Sequence, residues 1–241
     1  MLPNLLLTHS DEISGVIHVG AHLGQELKYY MKYNFEKILL FEPQFDIYEK
    51  LIKNKDLSKN VECYNFALGS KNETKKLNKS DENEGLSSSL LSPKLHLKVQ
   101  PDISFLESEI IEVKRFDSLE IETLNFLTLD VQGFELEVLK GFGNKLNEVE
   151  FIFTEINTKQ LYKDNALVTD LDHYLEKFNF VRVFTNVDSF NFFGDAFYVK
   201  KTNPKYSNNF LRVMTNKINI SNLFISLKKF KEPKKMIKQI L

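Results

Sequence analysis

The stretch that most constrains this chain is Gly15–Tyr30, GVIHVGAHLGQELKYY. Val16, Ile17 and Val19 form the short apolar run of a strand covered on both faces. Gly20 and Gly24 bracket a turn where the backbone can approach a ligand with no Cβ in the way. Leu23, Leu27, Tyr30 and Met31 then recur at helical spacing. A strand, a glycine turn and a helix N-terminus in that order predict a nucleotide site at the carboxyl edge of an open α/β sheet. A dinucleotide-binding turn has the spacing G-x-G-x-x-G, whereas Ala21, His22 and Leu23 separate the two glycines here. The turn suits a ligand lying across it; the other reading is a purely structural βα turn.

Lys37–Phe41 (KILLF) reads as a second buried strand, and it ends at Glu42-Pro43. A carboxylate at that strand end, about 20 residues past the glycine turn, is where such folds hold a ribose diol. Pro43 disfavours helical geometry for Glu42. Phe45–Ile52 reads as a helix and Val61–Phe66 as a third strand. Ala67-Leu68-Gly69 follows as a small turn, a backbone lip for an adenine. Lys71–Lys79 is polar and suits a hairpin arm, Glu109–Phe116 suits a strand, and Asp117-Ser118 suits a helix cap. Between these, Ser80–Pro93 (SDENEGLSSSLLSP) is either a lid beside the site or a disordered surface loop.

The second informative stretch is Asn125–Gly141, NFLTLDVQGFELEVLKG. Phe126, Leu127 and Leu129 make a buried strand ending at Asp130; Leu136, Val138 and Leu139 carry a helix stopped at Gly141. Val149–Ile156 repeats the device, with Glu155 and then Asn157 at its end. Two acids at adjacent strand ends, with no basic neighbour in sequence, are poor for stability and suited to chemistry. Leu167–Phe178 is an amphipathic helix, Phe180–Thr185 a strand and Asp195–Lys200 the final strand.

A length of 241 residues predicts one α/β domain with appendages, divided here into a body of residues 1–200 and a tail of residues 201–241. Of 32 Lys and Arg and 33 Asp and Glu, ten bases and one acid fall in the tail, which leaves 22 bases against 32 acids in the body. Leu223, Phe224, Leu227 and Phe230 form one apolar stripe in the tail, and Met236, Ile237, Ile240 and Leu241 a second beyond Pro233. Self-docking on the acidic body or a homodimer contact is favoured over an anionic membrane surface. A nucleic-acid role is disfavoured because the body lacks basic grooves with interleaved aromatics. Arg115, Arg182 and Arg212 are the only arginines, so a bidentate phosphate clamp has few candidates. The lone Cys63 excludes an intramolecular disulfide and fits a reducing compartment. Met1–Leu7 lacks the basic flank of a signal peptide, and no segment reaches the ~20 apolar residues of a membrane span. A cytoplasmic location is the expectation.

HVGAHLGQE, FEP, the Ala67-Leu68-Gly69 stretch, DVQGFELEVLKG, the TEI strand end and the late GDAFYV strand occur in this order over about residues 15–200. In these motifs the chain resembles the FkbM family of S-adenosylmethionine-dependent methyltransferases, and DVQGFE with VLKG is the most specific part. The resemblance implies a Rossmann-like α/β fold: a class I methyltransferase sheet of about seven mostly parallel strands, the last antiparallel, flanked by helices. It further implies that Gly20, Ala21, His22, Gly24 and Gln25, with Glu42, Pro43, Ala67 and Asp130, hold S-adenosylmethionine. The methyl acceptor is then an oxygen on a sugar, a glycan precursor or a related polar or phosphorylated metabolite. One departure is visible: His18 stands where many members have Asp.

Methyl transfer from a sulfonium is chiefly a matter of alignment, to which a base for a hydroxyl acceptor adds. Asp130 is the expected base or acceptor-orienting group, Glu155 its partner, and His22 the second candidate base. His9, His96 and His173 are scattered, which disfavours a zinc site. Asp130, Glu155 and Asn157 are the side chains that an all-oxygen Mg2+ site would need, a reading held below the metal-free one. Two other functions stay open. A nicotinamide-dependent oxidoreductase is disfavoured by the missing third turn glycine, and a non-catalytic adenosyl-ligand-binding subunit would bind cofactor without turning it over.

Overall fold

A computed structural model describes residues 2–54, 58–81, 83–188 and 190–207. The strands are β1 (Gly15–Val19), β2 (Lys37–Phe41), β3 (Val61–Tyr64), β4 (Ala67–Leu68), β5 (Glu73–Lys79), β6 (Glu107–Lys114), β7 (Phe126–Leu129), β8 (Phe151–Asn157), β9 (Phe180–Val187) and β10 (Phe193–Lys200). The helices are α1 (Leu2–His9), α2 (Leu27–Tyr30), α3 (Phe45–Leu51), α4 (His96–Val99), α5 (Glu135–Phe142), α6 (Val168–Glu176) and α7 (Pro204–Ser207).

Seven strands form the main sheet in the order β3-β2-β1-β7-β8-β10-β9. β1, β2, β3, β7 and β8 pair in parallel, while β10 runs antiparallel to both β8 and β9. This is the expected doubly covered sheet with its last strand reversed. The period-2 geometry of a strand divides the apolar residues between two faces. Ile17, Val19, Leu39, Phe41, Leu127 and Leu129 face α5 and α6, where Val138, Leu139, Phe142, Leu171 and Leu175 meet them. Val16, Ile38, Leu40, Phe126, Phe151 and Phe197 face the other way, covered by Leu2, Leu6, Leu27, Tyr30 and Leu51. Burial on both faces is why these strands are near-continuous apolar runs.

The structure corrects several local expectations. The helix after the glycine turn is only Leu27–Tyr30, so residues 21–26 form a turn rather than a helix N-terminus. Ala67-Leu68 is a strand, not a lip-like turn: it pairs in parallel with Val113 and Lys114. The polar arm β5 pairs antiparallel with β6 across the intervening segment, which gives a second, three-stranded sheet β4-β6-β5. Asp117-Ser118 lies within a single 3-10 turn, Phe116–Ser118, and caps no α-helix. Gly141 does not stop α5, which runs on to Phe142. Its role is contact: a Cβ there would lie 2.0 Å from the Gly69 carbonyl oxygen, so α5 sits directly on the backbone after β4. The stop is supplied by Gly143, with a left-handed φ of 51°.

The body continues past residue 200. Asn203 is buried and its Nδ2 donates to Glu12 Oε2 at 3.0 Å, while Tyr206 packs against the α1 face of the core. Residues 208–241, with both apolar stripes of the tail, lie outside the described residues.

Candidate active site

The site is built where β1, β2 and β7 end together. The N–H groups of Gly20 and Ala21 both donate to the Phe41 carbonyl, at 2.9 and 3.0 Å. The Asp130 N–H donates to the Val19 carbonyl at 3.0 Å. Gly20 has φ 82°, and a Cβ on it would stand 1.8 Å from the Asp130 carbonyl oxygen. Glycine is therefore needed here so that the end of β1 can lie against the end of β7. That approach brings Glu42 and Asp130 to one sheet edge.

Glu42 is 3% exposed, and each of its carboxylate oxygens accepts a backbone N–H. His22 N–H donates to Oε2 at 2.9 Å and Gln44 N–H to Oε1 at 2.8 Å. Burial pushes the Glu42 carboxyl up to about 7, against the pull of these donors. Above it opens a cleft with Phe41, Leu68, Leu77, Leu90 and Phe134 as its apolar walls. His18, His22, Gln25, Glu26, Gln44, Ser88, Asp130 and Gln132 supply its polar groups, and Pro43 and Ala67 also line it.

Residues 83–91, part of the stretch expected as lid or disorder, cover this cleft. Glu84 accepts His22 Nε2 on its carbonyl at 3.0 Å and pairs with Lys50 Nζ at 2.9 Å through its carboxylate. Ser88 Oγ donates to Gln44 Oε1 at 3.1 Å, and Ser89 Oγ to the Gln132 carbonyl at 2.7 Å. Asn78 and Ser89 exchange backbone hydrogen bonds, which hangs the segment from the end of β5.

A second cleft adjoins the first and shares His18, Glu26, Asp130 and Gln132 with it. Glu155, Asp188 and Asp195 add three more carboxyl groups, beside Tyr29, Phe153 and Phe193. Among the described residues, no Lys or Arg lines either cleft. Asp130 is exposed to the clefts, and Gln132 Nε2 bridges it to Glu155, at 3.0 Å from Asp130 Oδ1 and 3.1 Å from Glu155 Oε2. Burial, then the charges of Asp130 and Glu135, raise the Glu155 carboxyl well above the usual range. Desolvation also raises Asp130, opposed first by the Gln132 bond and also by a hydrogen bond with Glu155. Asp195 is raised to about 6 by burial and by Asp130. His18 is lowered to about 4 by burial, so at neutral pH it is an uncharged imidazole, with Nδ1 3.3 Å from the Tyr30 hydroxyl.

Most of the residues singled out in the sequence meet at these clefts. Gly20, His22, Gln25, Glu42, Pro43, Ala67 and Asp130 line the first, and Asp130 and Glu155 the second. Ala21 and Gly24 do not: Ala21 is fully buried in the core, and a Cβ on Gly24 would meet Leu27 and Leu51 at 2.8 Å. His22 faces the covering segment rather than the second cleft, with Gln25 Nε2 2.8 Å from Nδ1 and Glu84 on Nε2. Among the described residues no group of three or more His, Cys, Asp or Glu is arranged to hold a metal, and Asn157 is buried outside both clefts.

Glu26, Gln132, Glu135 and Asp195 carry no site role in the sequence reading, although Gln132 and Glu135 fall on the turn after Asp130. Gln132 and Glu135 sit in the DVQGFE motif itself. Glu135 Oε1 accepts the Val131 and Gly133 N–H groups at 3.3 and 3.0 Å, which pins the turn that aims Gln132. Asp195 could be found by register, since it lies directly across from Glu155 in the β8–β10 ladder.

The model of the Methyltransferase FkbM domain matches residues 18–182. Among curated relatives, 2-O-methyltransferase NoeI of Sinorhizobium fredii is 29% identical over 41% of this chain and 42% of its own length. Hexuronic acid methyltransferase AglP of Haloferax volcanii is 27% identical over 64% of this chain and 60% of its own length. The chain thus spans about half the length of these relatives. Among solved structures, Methyltransferase FkbM from Methylobacillus flagellatus superposes with a TM-score of 0.53 at 15% identity, over 78% of this chain and 43% of that one, a likeness of fold.

Proposed function

The chain belongs to the FkbM methyltransferase family, and on that premise we propose that it transfers a methyl group from S-adenosylmethionine to a hydroxyl of a sugar or related polar metabolite. The observation that carries this reading is the pair of adjoining clefts lined by carboxyl groups and, among the described residues, by no Lys or Arg. A sulfonium is a cation and suits such walls. The pyrophosphate of a nicotinamide dinucleotide would face carboxyl groups and, among the described residues, no Lys or Arg, so the oxidoreductase reading loses support.

The residues fit the cofactor. Glu42 offers a carboxylate to a ribose diol at the end of β2, with one backbone N–H on each oxygen and the Gln44 side chain beside it. Ala67, Leu68, Leu77 and Leu90 offer an apolar slot for the adenine, and Asp130 lies toward the second cleft. When bound, the cofactor supplies an already electrophilic methyl carbon. The protein then has to align an acceptor hydroxyl and take its proton. Asp130 is the base in this reading: it opens to the acceptor cleft and receives the Gln132 N–H. Glu155, its carboxyl raised by burial and by the Asp130 charge, stands beside it. NoeI and AglP, named for methylation at a 2-oxygen and of a hexuronic acid, support a sugar acceptor.

Calorimetry with S-adenosylhomocysteine and with NADH tests the cofactor, and a donor-consumption screen against free sugars and nucleotide sugars tests the acceptor. Binding of NADH in place of S-adenosylhomocysteine would overturn the reading. Cofactor binding without turnover across every hydroxyl acceptor class would favour a non-catalytic adenosyl-binding subunit.

A further inference from the structure

Gln132 occupies a place that the reaction scheme above leaves unassigned. Its Nε2 lies between two carboxyl groups, while its Oε1 accepts from the Tyr162 hydroxyl at 2.9 Å. The amide orientation follows from these neighbours. The Asp130 carboxylate only accepts, so it calls for the NH2 end, and a phenol that stays protonated calls for the oxygen. Tyr162 is 1% exposed and burial keeps its hydroxyl a donor far above neutral pH. That hydroxyl also reaches the Ser87 carbonyl at 3.2 Å, on the segment covering the cofactor cleft. The main chain of Gln132 is fixed as firmly. It has φ 52°, its carbonyl accepts Ser89 Oγ, and Glu135 clamps the N–H groups on both sides.

We propose that Gln132 is the positioning residue of the carboxyl pair: its amide, oriented by Tyr162, keeps Asp130 ionised beside Glu155 and ties that pair to the segment over the cofactor cleft. This rests on the reading of Asp130 as base, and it goes further in naming what sets the base. An N–H donated to a carboxylate favours its charged form, so removing the donor must raise the titration of the pair. The Tyr162 hydroxyl donates toward Gln132 and Ser87 and to neither carboxyl group, so its hydrogen-bonding influence on them passes through Gln132. The linkage also runs outward, because Ser87 and Ser89 belong to the covering segment.

The test is direct titration of the side-chain carboxyl groups by NMR on full-length protein labelled with 13C in Asp and Glu. Gln132→Met, similar in length and without hydrogen-bonding groups, is expected to move the pair upward by roughly 0.5–1 pH unit. Tyr162→Phe is expected to give a smaller shift of the same sign. The double variant should match Gln132→Met alone, because the hydroxyl acts through the amide. An unchanged titration in Tyr162→Phe, or independent, additive shifts in the double variant, overturns the proposal. Thermal unfolding of Tyr162→Phe checks that the core is intact, and Ser89→Ala serves in its place if it is not. S-adenosylhomocysteine binding, measured separately on the unaltered protein, isolates failure of the functional reading: the shifts then stand without a methyl-transfer role.

Discussion

Glu42→Gln is the substitution that the structure judges most sharply. Two backbone N–H groups converge on this side chain, from His22 at 2.9 Å and from Gln44 at 2.8 Å, one on each oxygen. Glutamine offers one acceptor and one NH2, so one buried N–H is left facing another donor. The loss is about 1–3 kcal/mol of stability, and S-adenosylhomocysteine binding weakens about 10–100-fold from losing one charge-assisted ribose contact. The pH dependence separates the two effects. The Glu42 carboxyl is raised from 4.5 to about 7 in the folded state. Its contribution to stability is therefore complete below about pH 4.5 and is lost as the pH climbs to about 7, by about 3 kcal/mol in total. Binding carries the opposite sign, because two ribose hydroxyls donating to a carboxylate favour the ionised form. The dissociation constant should fall about tenfold per pH unit up to about pH 7 and then level off. Calorimetry from pH 5 to 8 on both proteins, with melting curves at the same pH values, reads all of this. A wild-type affinity flat across that range, or a Gln variant that binds as tightly as wild type, would refute the role of Glu42.

Asp130→Asn should lower turnover ~10²–10⁴-fold while changing S-adenosylhomocysteine affinity much less, as steady-state kinetics and calorimetry will show once an acceptor is in hand. Gly20→Ala forces a Cβ to within 1.8 Å of the Asp130 carbonyl at a φ of 82°. It should cost more than about 2 kcal/mol in chemical denaturation and abolish cofactor binding together with the fold of the β1 turn. Removing residues 208–241 should leave the melting transition and cofactor affinity in place, with any change confined to association seen by light scattering at low and high salt; loss of folding would show the boundary to be wrong. Turnover should survive EDTA, and a collapse reversed by Mg2+ would install a metal in place of the metal-free base.

The main sheet was legible because strands buried on both faces leave continuous apolar runs, as in VIHV, KILLF, FLTL and FIFT. Glu42 and Asp130 were legible for a related reason: a charged residue closing such a run has to emerge at the sheet edge. The small sheet was not, since β5 meets β6 about 30 residues later and each is half polar on its own. Gly141 misled because glycine near a helix end usually stops it, whereas here it admits the Gly69 carbonyl. Gln132 was hidden more deeply. Its meaning depends on Tyr162 and Glu155, which the fold brings to it from 30 and 23 residues away. No local pattern announces that convergence.

The walls of the two clefts, which carry carboxyl groups and no lysine among the described residues, bear on how a turnover cycle would end on the proposed reading. A carboxyl-lined site discriminates by charge, and methyl transfer converts a cationic sulfonium into a neutral thioether. The electrostatic attraction that favours the donor is therefore withdrawn by the reaction itself, while the adenine and ribose contacts are the same before and after. If the clefts hold the cofactor as proposed, spent cofactor should bind less firmly than fresh, a difference that calorimetry with both would read. Added salt, which screens the walls, should narrow that preference.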